Sequence, residues 1–328
     1  MSELTREKIY KRELLKKGAT GNDNLERIRS LQNGGGGEVD TPNEEISVLE
    51  NFIFEGNSMA MAVVGDYVYS FGGNNNNFVA QNFIKKINIK TQMTTTLSTV
   101  LPIKLNGAKA VAIGGLIYIF GGRILEGVTS SPNSDFYCFN TVTESIEKLG
   151  YKLTGSIANN GVSIGSYIYC IDSAGKIQRV NTQDGVITQM FSQSISFSGS
   201  GMINIGNDIY IFGGEYIKNK IYKYNTDSND FVELPFTFPS EELFNMSVSA
   251  IGNNIYIFGG SLDNYFTHSN AIYKFDTLKN EMKLLSLKLF SPLSNFGIAQ
   301  NGGSIYIYGG IVDSKTFFNK IQKFTVNF

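Results

Sequence analysis

Short apolar segments alternate with glycine-rich turns along most of the chain, and their order is regular. A first apolar segment stops one residue before a single Gly, as at Val64 and Gly65. A second segment of nearly continuous Ile, Tyr and Phe follows, and a Gly-Gly pair ends it, as at Gly72 and Gly73. Unbroken apolar runs predict strands that are buried on both faces. The glycines predict turns with positive φ or a close approach of two backbones.

The same unit occurs six times between residues 46 and 328. The third copy differs from the others, because Asp172 and Ser173 stand where the Gly-Gly pair is expected after Gly165. A variable loop, a third strand, a polar turn and a fourth strand complete each unit. Units of about 40–50 residues with four strands predict an all-β, six-bladed β-propeller of four-stranded antiparallel blades. We interpret the paired glycines as structural residues: Gly72, Gly73, Gly121, Gly122, Gly213, Gly214, Gly259, Gly260, Gly309 and Gly310.

An asparagine recurs just before the third strand in four of the units. It lies five residues before the last aromatic or aliphatic residue of that strand. Asn side chains commonly hydrogen-bond the backbone of tight turns. We therefore interpret these residues as turn caps rather than functional groups: Asn82, Asn219, Asn270 and Asn319.

The residues around the paired glycines resemble a known repeat. The run IYIFGG at 255–260, followed by an aromatic residue before Asp-Thr or Asn-Thr, resembles the kelch repeat, and the likeness extends over roughly residues 46–328. Kelch repeats usually carry a Trp six residues after that Asp or Asn. Other apolar residues occupy this position here, with Met93 one residue early: Met93, Ile146, Ile187, Phe231 and Met282.

The resemblance implies a kelch-type propeller, and most propellers of this family bind proteins. Two common roles that it implies are binding to the actin cytoskeleton and substrate reception for a ubiquitin ligase. A minority of the family are enzymes. The kelch-type copper oxidases require paired histidines, which a chain with one His lacks. The alternative function that the resemblance implies is an enzyme that acts on a small molecule, such as a sugar, in the central channel.

The last unit lacks a fourth strand, because the chain stops soon after its third. Residues 46–49 match the pattern of the fourth strand at 231–234. We expect this N-terminal segment to complete the last blade and to close the ring, which would remove two exposed sheet edges.

The first 45 residues differ in composition from the repeats. Residues 4–17 are charged and favour a helix, residues 25–32 have one apolar helical face, and residues 33–37 read as a glycine-rich linker. We expect a charged helical or disordered tail. Self-association or docking through residues 1–32 is the alternative.

Charge and hydropathy narrow the classes of partner. The 28 basic and 29 acidic residues give a net charge of −1 without a basic block, which disfavours nucleic-acid binding. The sequence has no apolar run of about 18 residues and no apolar signal-peptide region at the N-terminus, so we expect neither a membrane span nor secretion.

Cys138 and Cys170 lie in strand-like runs and predict buried free thiols. A cytoplasmic location follows from this pattern.

Motifs for catalysis, cofactors or metal binding are not evident in the sequence. The single histidine, His268, lies in a loop that we expect at the surface, and Asp172 reads as a turn residue. We therefore predict no catalytic residue, no cofactor and no metal. A channel enzyme would need carboxylates and an Arg that converge at one mouth.

The loops after the paired glycines are uneven and carry aromatic residues and an arginine. Tyr, Phe and Arg are common at the energetically important centres of protein interfaces. The candidate partner-binding residues are Phe78, Arg123, Tyr216, Tyr265, Phe266, Phe317 and Phe318. The Asn74–Asn77 tract reads as low-complexity filler. The leading hypothesis is a non-enzymatic module that binds a protein or peptide partner on this loop face.

Overall fold

The computed structural model describes residues 44–50, 54–91, 93–126, 129–154, 157–172, 174–192, 194–238, 243–262, 267–313 and 316–327. These ranges contain strands, turns and loops, and no helix is found within them. Apart from Glu44 and Glu45, the predicted tail lies outside the described residues, and so does the proposed self-association through residues 1–32.

The described part of the chain forms 27 strands. In chain order they are β1 (Glu44–Leu49), β2 (Ala60–Val64), β3 (Tyr67–Phe71), β4 (Phe83–Asn88), β5 (Thr94–Val100), β6 (Leu105–Asn106), β7 (Lys109–Ile113), β8 (Leu116–Phe120), β9 (Arg123–Glu126), β10 (Thr129–Pro132), β11 (Asp135–Asn140), β12 (Ser145–Lys152), β13 (Ile157–Ile164), β14 (Tyr167–Asp172), β15 (Lys176–Asn181), β16 (Ile187–Ser192), β17 (Gly201–Ile205), β18 (Asp208–Phe212), β19 (Lys220–Asn225), β20 (Phe231–Thr237), β21 (Ser247–Ile251), β22 (Asn254–Phe258), β23 (Ala271–Asp276), β24 (Glu281–Lys288), β25 (Gly297–Asn301), β26 (Ser304–Tyr308) and β27 (Ile321–Val326).

Six of the sheets are antiparallel and have four strands each. Their strand orders are β2-β3-β4-β5, β7-β8-β11-β12, β13-β14-β15-β16, β17-β18-β19-β20, β21-β22-β23-β24 and β25-β26-β27-β1. Each predicted repeat unit therefore forms a sheet in which strands that follow one another in the unit are hydrogen-bonded neighbours. The all-β fold and its four-stranded antiparallel sheets are as predicted from the sequence.

The last sheet draws its outermost strand from the N-terminal side of the described chain. β1 pairs antiparallel with β27, with Ile46 opposite Phe324 and Leu49 opposite Ile321. Glu44 also reaches the preceding sheet, because its Oε1 accepts hydrogen bonds from Lys274 Nζ at 2.6 Å and from Tyr256 Oη at 3.3 Å. β1 therefore pairs with the last sheet, and Glu44 also ties it to the preceding sheet.

A seventh, smaller sheet lies within the second unit, where the sequence predicts a variable loop. β9 pairs with β10 and also with the two-residue strand β6. The loop prediction is wrong here. β9 and β10 have four residues each, and every residue of β10 is exposed, so the hairpin lacks the apolar alternation that identifies a strand in sequence.

Aromatic packing between neighbouring sheets explains the aromatic residue near the end of the third strand. Phe139 lies 5.5 Å from the rings of both Tyr69 and Phe71 in the preceding sheet. Phe324 is packed in the same way against Tyr256 and Phe258, at 4.9 and 5.3 Å. Such pairs stabilise beyond simple area burial by about 0.5–1.5 kcal/mol. The core is therefore a series of clusters between sheets rather than a single centre.

The paired glycines lie where neighbouring sheets meet. The amide of Gly73 donates to Leu105 O at 2.8 Å, and the amide of Gly310 donates to Gly56 O at 3.1 Å. A Cβ added to Gly72 or Gly309 would lie 2.3 Å from the same carbonyl oxygens. The first glycine of the pair thus allows two backbones to approach, and the second forms the hydrogen bond between them.

The recurrent asparagines act through their main-chain carbonyls. Asn82 O accepts a hydrogen bond from Leu101 N at 2.8 Å, and Asn82 Nδ2 donates to Leu101 O at 3.2 Å. The carbonyls of the other three accept amides that follow a fourth strand in the same way: Asn219 from Phe238, Asn270 from Leu289 and Asn319 from Phe54. They join the loop to the end of the outer strand.

Candidate functional site

The loops that follow the second strand of each sheet emerge at one end of the sheets. We call this end the loop face, and it comprises residues 72–82, 121–134, 172–175, 213–219, 259–270 and 309–320 as far as they are described. The first strands of the sheets begin at the same end, because each is antiparallel to the second strand. The loop face therefore also surrounds the entrance to the space between the first strands.

Phe78 lies at the tip of the loop in the first sheet, in a backbone conformation unusual for a bulky residue. Its φ is +57°, and 47% of its surface is exposed. Left-handed backbone costs a non-glycine residue about 1–2 kcal/mol. Strain of this kind is concentrated at functional sites, where surrounding contacts hold it in place.

The asparagine tract holds this loop in shape. Asn75 Oδ1 accepts hydrogen bonds from the amides of Asn77 and Val79, both at 3.0 Å. Asn75 N donates to Val79 O, and Phe78 N donates to Asn75 O, each at 3.0 Å. Asn74 is buried, and its Nδ2 donates to Asn57 Oδ1 at 3.4 Å. The interpretation of Asn74–Asn77 as filler is therefore wrong for two of its residues, because the Asn75 side chain forms the turn that presents Phe78 and Asn74 is buried against Asn57.

Phe78 contacts Phe317 from the loop of the last sheet. The two ring centroids are 4.9 Å apart, with the planes tilted by 58°. Phe317 is half-buried, and Val79 beside Phe78 is exposed. We call Phe78, Val79 and Phe317 the apolar patch. Two of the predicted binding residues thus meet across the junction of the first and last sheets.

The other predicted residues are placed differently. Arg123 is exposed on β9, where its Nε donates to Ser130 Oγ at 2.6 Å and its Nη2 donates to Ser130 O at 3.2 Å. Tyr216 is 67% exposed, whereas Phe318 is half-buried and packs against the core between the fifth and last sheets. Tyr265 and Phe266 lie outside the described residues.

A cavity of about 400 Å³ lies beneath the loop that carries Phe78. Its lining includes the apolar side chains of Phe54, Met59 and Phe83. Asn74 and Asn75 line it from the loop itself, so the cavity and the apolar patch share one loop. Lys85 also lines it, with Nζ 4.8 Å from the centre of the Phe54 ring and 3.3 Å from Glu55 O. The arrangement offers an apolar pocket beside an exposed aromatic pair.

Backbone hydrogen bonds connect the starts of the first strands at the loop face. Ser58 N donates to Asn295 O, Gly107 N donates to Ser58 O, and Asn245 N donates to Gly199 O, each at 2.7 Å. Asn295 N donates to Asn245 O at 3.2 Å. All of these residues have positive φ between 53° and 68°. The resulting rim of left-handed residues surrounds a cavity of about 130 Å³, and a second cavity of about 320 Å³ lies between the same first strands.

Small, apolar and amide side chains line these two cavities. Met61, Met202 and Val248 line both of them, together with main-chain groups. Lys109 is the one ionisable side chain among the described residues that line them. The carboxylates and the arginine that a channel enzyme would need are not among those lining residues.

Asp172 and His268 occupy structural positions. Asp172 is 2% exposed, and its Oδ1 accepts the amides of Ala174 at 3.0 Å and Lys176 at 2.8 Å, which forms the turn at the end of β14. His268 is 8% exposed, so the surface position expected from sequence is wrong. A backbone bridge to Ser261 draws His268 inward, with Nδ1 3.3 Å from Ser261 Oγ. Burial lowers the pKa of His268, and the charge of Asp313 acts in the opposite direction.

The two cysteines are free and buried in β11 and β14. Burial raises the pKa of the Cys138 thiol to about 11, and it raises the pKa of Cys170 further. A nucleophilic cysteine needs a lowered pKa, so neither thiol is suited to catalysis. No group of three or more His, Cys, Asp and Glu side chains arranged to hold a metal ion is found in the described ranges.

Comparisons with known proteins agree with this architecture. Residues 104–145 match the Kelch motif family. The fold is similar to a solved structure titled "Structure of YjhT", with a TM-score of 0.72, 13% sequence identity, and coverage of 84% of this chain and 96% of the other. The search of curated proteins found no match. The motif and the shared fold support a kelch-repeat β-propeller, and the resemblance inferred from the sequence is confirmed.

The described residues contain no helix with the length and apolar character needed to cross a bilayer.

Proposed function

We propose that residues 44–328 form a closed propeller of six blades, and that the three-stranded sheet is an insertion in the second blade. The first strands of the six larger sheets are in contact in the order β2, β7, β13, β17, β21 and β25, and β25 is also in contact with β2. The β1–β27 pairing and the hydrogen bond from Ser58 to Asn295 support closure between the last blade and the first.

We propose further that this propeller is a non-enzymatic module whose loop face binds a protein or peptide partner. The observation that carries the proposal is Phe78, a half-exposed aromatic residue held in left-handed backbone by the Asn75 turn. Its contact with Phe317 presents two rings together, and aromatic residues are common among the anchors of protein interfaces.

The cavity beneath the Phe78 loop suggests the chemistry of the partner. An extended segment lying across the apolar patch would place one side chain over the pocket lined by Phe54, Met59 and Phe83. An aromatic or long aliphatic side chain suits these walls, and buried anchors in pockets supply most of the affinity at interfaces. We therefore expect a partner segment with an apolar anchor.

The alternative, an enzyme acting on a small molecule in the channel, has less support. Acid–base chemistry on such a molecule needs groups that donate and accept protons. Lys109 is the one ionisable side chain among the described residues that line the two cavities between the first strands. The roles in actin binding or ubiquitin-ligase substrate reception, and the cytoplasmic location, remain predictions from the resemblance and the composition.

Site-specific cross-linking tests the loop-face proposal. A photoreactive p-benzoylphenylalanine replaces Phe78 in one version of the full chain and Leu278 in a control version. Leu278 is 75% exposed and lies in the turn between β23 and β24, at the opposite end of the sheets. The proposal predicts protein adducts from position 78 that position 278 does not give, and that disappear when Phe317 is also changed to Ala. Identical adducts from both positions would contradict it.

A further inference from the structure

Lys109 lies in the central channel without a counter-charge. It begins β7, the first strand of the second sheet, and it lines both the cavity at the loop-face rim and the cavity beside it. The side chain is half-buried, and its ammonium forms no ion pair or hydrogen bond within the part of the chain that is described. Burial lowers its pKa, with no opposing charge nearby.

Three lysines on the third strands of their sheets have carboxylate partners. Lys86 Nζ lies 2.6 Å from Glu144 Oε1, Lys223 Nζ lies 3.4 Å from Asp208 Oδ2, and Lys274 Nζ lies 2.6 Å from Glu44 Oε1. Each of these lysines lies on the third strand of its sheet, where a neighbouring turn or strand supplies a carboxylate. A half-buried ammonium without a counter-charge loses part of its hydration, and that loss is costly.

We propose that Lys109 binds a small organic anion with a single negative charge, of the monocarboxylate class. One ammonium neutralises one charge, and a second negative charge on the ligand would remain buried without a partner. Two polar side chains in the lining are bonded to protein groups, because Asn160 Nδ2 donates to Ser200 Oγ at 2.7 Å and Ser200 Oγ donates to Phe197 O at 2.8 Å.

The size and the walls of the cavity narrow the ligand. A cavity of about 150 Å³ holds a benzene molecule, so the 130 Å³ at the rim admits about six heavy atoms, and the 320 Å³ cavity that Lys109 also lines leaves room for a longer chain. The side chains of Met61, Met202 and Val248 supply apolar walls for a short alkyl chain. A carboxylate with an alkyl chain therefore fits better than chloride, which would gain nothing from those walls.

The test uses the full chain and compares butyrate with butyramide, which has the same shape without the charge. Affinities are measured by ligand-observed NMR, with chloride as a competitor. The variants are Lys109→Met, which keeps the length of the side chain, and the control Lys104→Met, which removes an exposed lysine directly before β6.

The proposal predicts that butyrate binds the wild type at least about tenfold more tightly than butyramide, since a hydrogen bond to a charged group is worth that factor or more. Lys109→Met should lose this difference and Lys104→Met should keep it. Chloride should compete weakly. Butyrate that binds no better than butyramide, or equally well to Lys109→Met, would overturn the proposal.

A measurement on the wild type alone covers the case in which Lys109→Met does not fold. The affinity for butyrate should fall as the pH rises through the lowered pKa of Lys109, whereas that for butyramide should stay constant. A pH-independent butyrate affinity across that range would also overturn the proposal. The loop-face proposal does not depend on this result, because its cross-linking test does not involve the channel.

Discussion

Substitution of Gly309 by Ala tests the contact that joins the last sheet to the first. Gly309 has φ of +60°, and an added Cβ would lie 2.3 Å from Gly56 O. Gly302 is a matched control, because its φ is +58° and an added Cβ would meet no atom within 4 Å. Both substitutions carry the cost of left-handed backbone, about 1–2 kcal/mol, and Gly309→Ala alone adds a collision with the neighbouring backbone.

The size of the added cost follows from that collision. An ordinary contact of a Cβ begins near 3.4 Å, so the two backbones must separate by about 1 Å. This separation would break the 3.1 Å hydrogen bond from Gly310 N to Gly56 O. Leaving such groups unpaired costs about 1–3 kcal/mol. We expect Gly302→Ala to lower the free energy of unfolding by about 1–2 kcal/mol and Gly309→Ala by about 2–5 kcal/mol.

Urea unfolding followed by tyrosine fluorescence measures both free energies of unfolding, and calorimetry measures Tm. For a domain of this size each kcal/mol shifts Tm by roughly 2–4 °C, so the two variants should differ by several degrees. Equal destabilisation by the two substitutions would refute the reasoning, because it would show that the contact between Gly309 and Gly56 contributes nothing to stability.

Three further predictions concern other parts of the molecule. Glu44→Ala should lower the free energy of unfolding by about 1–2 kcal/mol, because Lys274 and Tyr256 lose a shared acceptor. The control Glu50→Ala removes an exposed ion pair with Lys320 and should change the free energy by less than about 1 kcal/mol, and urea titrations compare the two variants. Native protein at pH 8 should resist iodoacetamide at Cys138 and Cys170, since burial raises both pKa values, and both should react in urea; mass spectrometry detects the adducts. Because burial lowers the pKa of Lys109, the unfolded chain binds more protons than the native chain between that pKa and about 10.4, so the free energy of unfolding should rise with pH in that window. Lys109→Met should lack this rise, and it should be more stable than the wild type at neutral pH.

The sequence predicted the sheets well because their signal is local and repeated. Runs such as that of β22 are buried throughout their interior. The paired glycines recur at a fixed spacing because each junction between sheets needs the same close approach of two backbones. The fourth strands were harder to delimit. β20 extends three residues beyond the fourth-strand pattern at 231–234, because apolar and polar residues alternate in exposed outer strands.

The candidate site was predicted only in part, since it depends on contacts between distant segments. Phe78 and Phe317 were chosen by residue type, but their meeting joins the first and last sheets, which no local pattern encodes. The turn formed by Asn75 looked like low complexity, and nothing in the apolar pattern of the first strands singled out Lys109. The burial of His268 results from a bridge to Ser261 that the loop sequence does not reveal.

The most direct test of the proposed function is the affinity of the loop face for the partner identified by cross-linking at position 78. The full chain, the Phe78→Ala/Phe317→Ala variant and the Leu278→Ala control are compared by titration calorimetry, with circular dichroism to verify folding. The account predicts at least about a tenfold loss of affinity for the double variant, as for interface anchors, and no change for Leu278→Ala. An unchanged affinity in the folded double variant would contradict it.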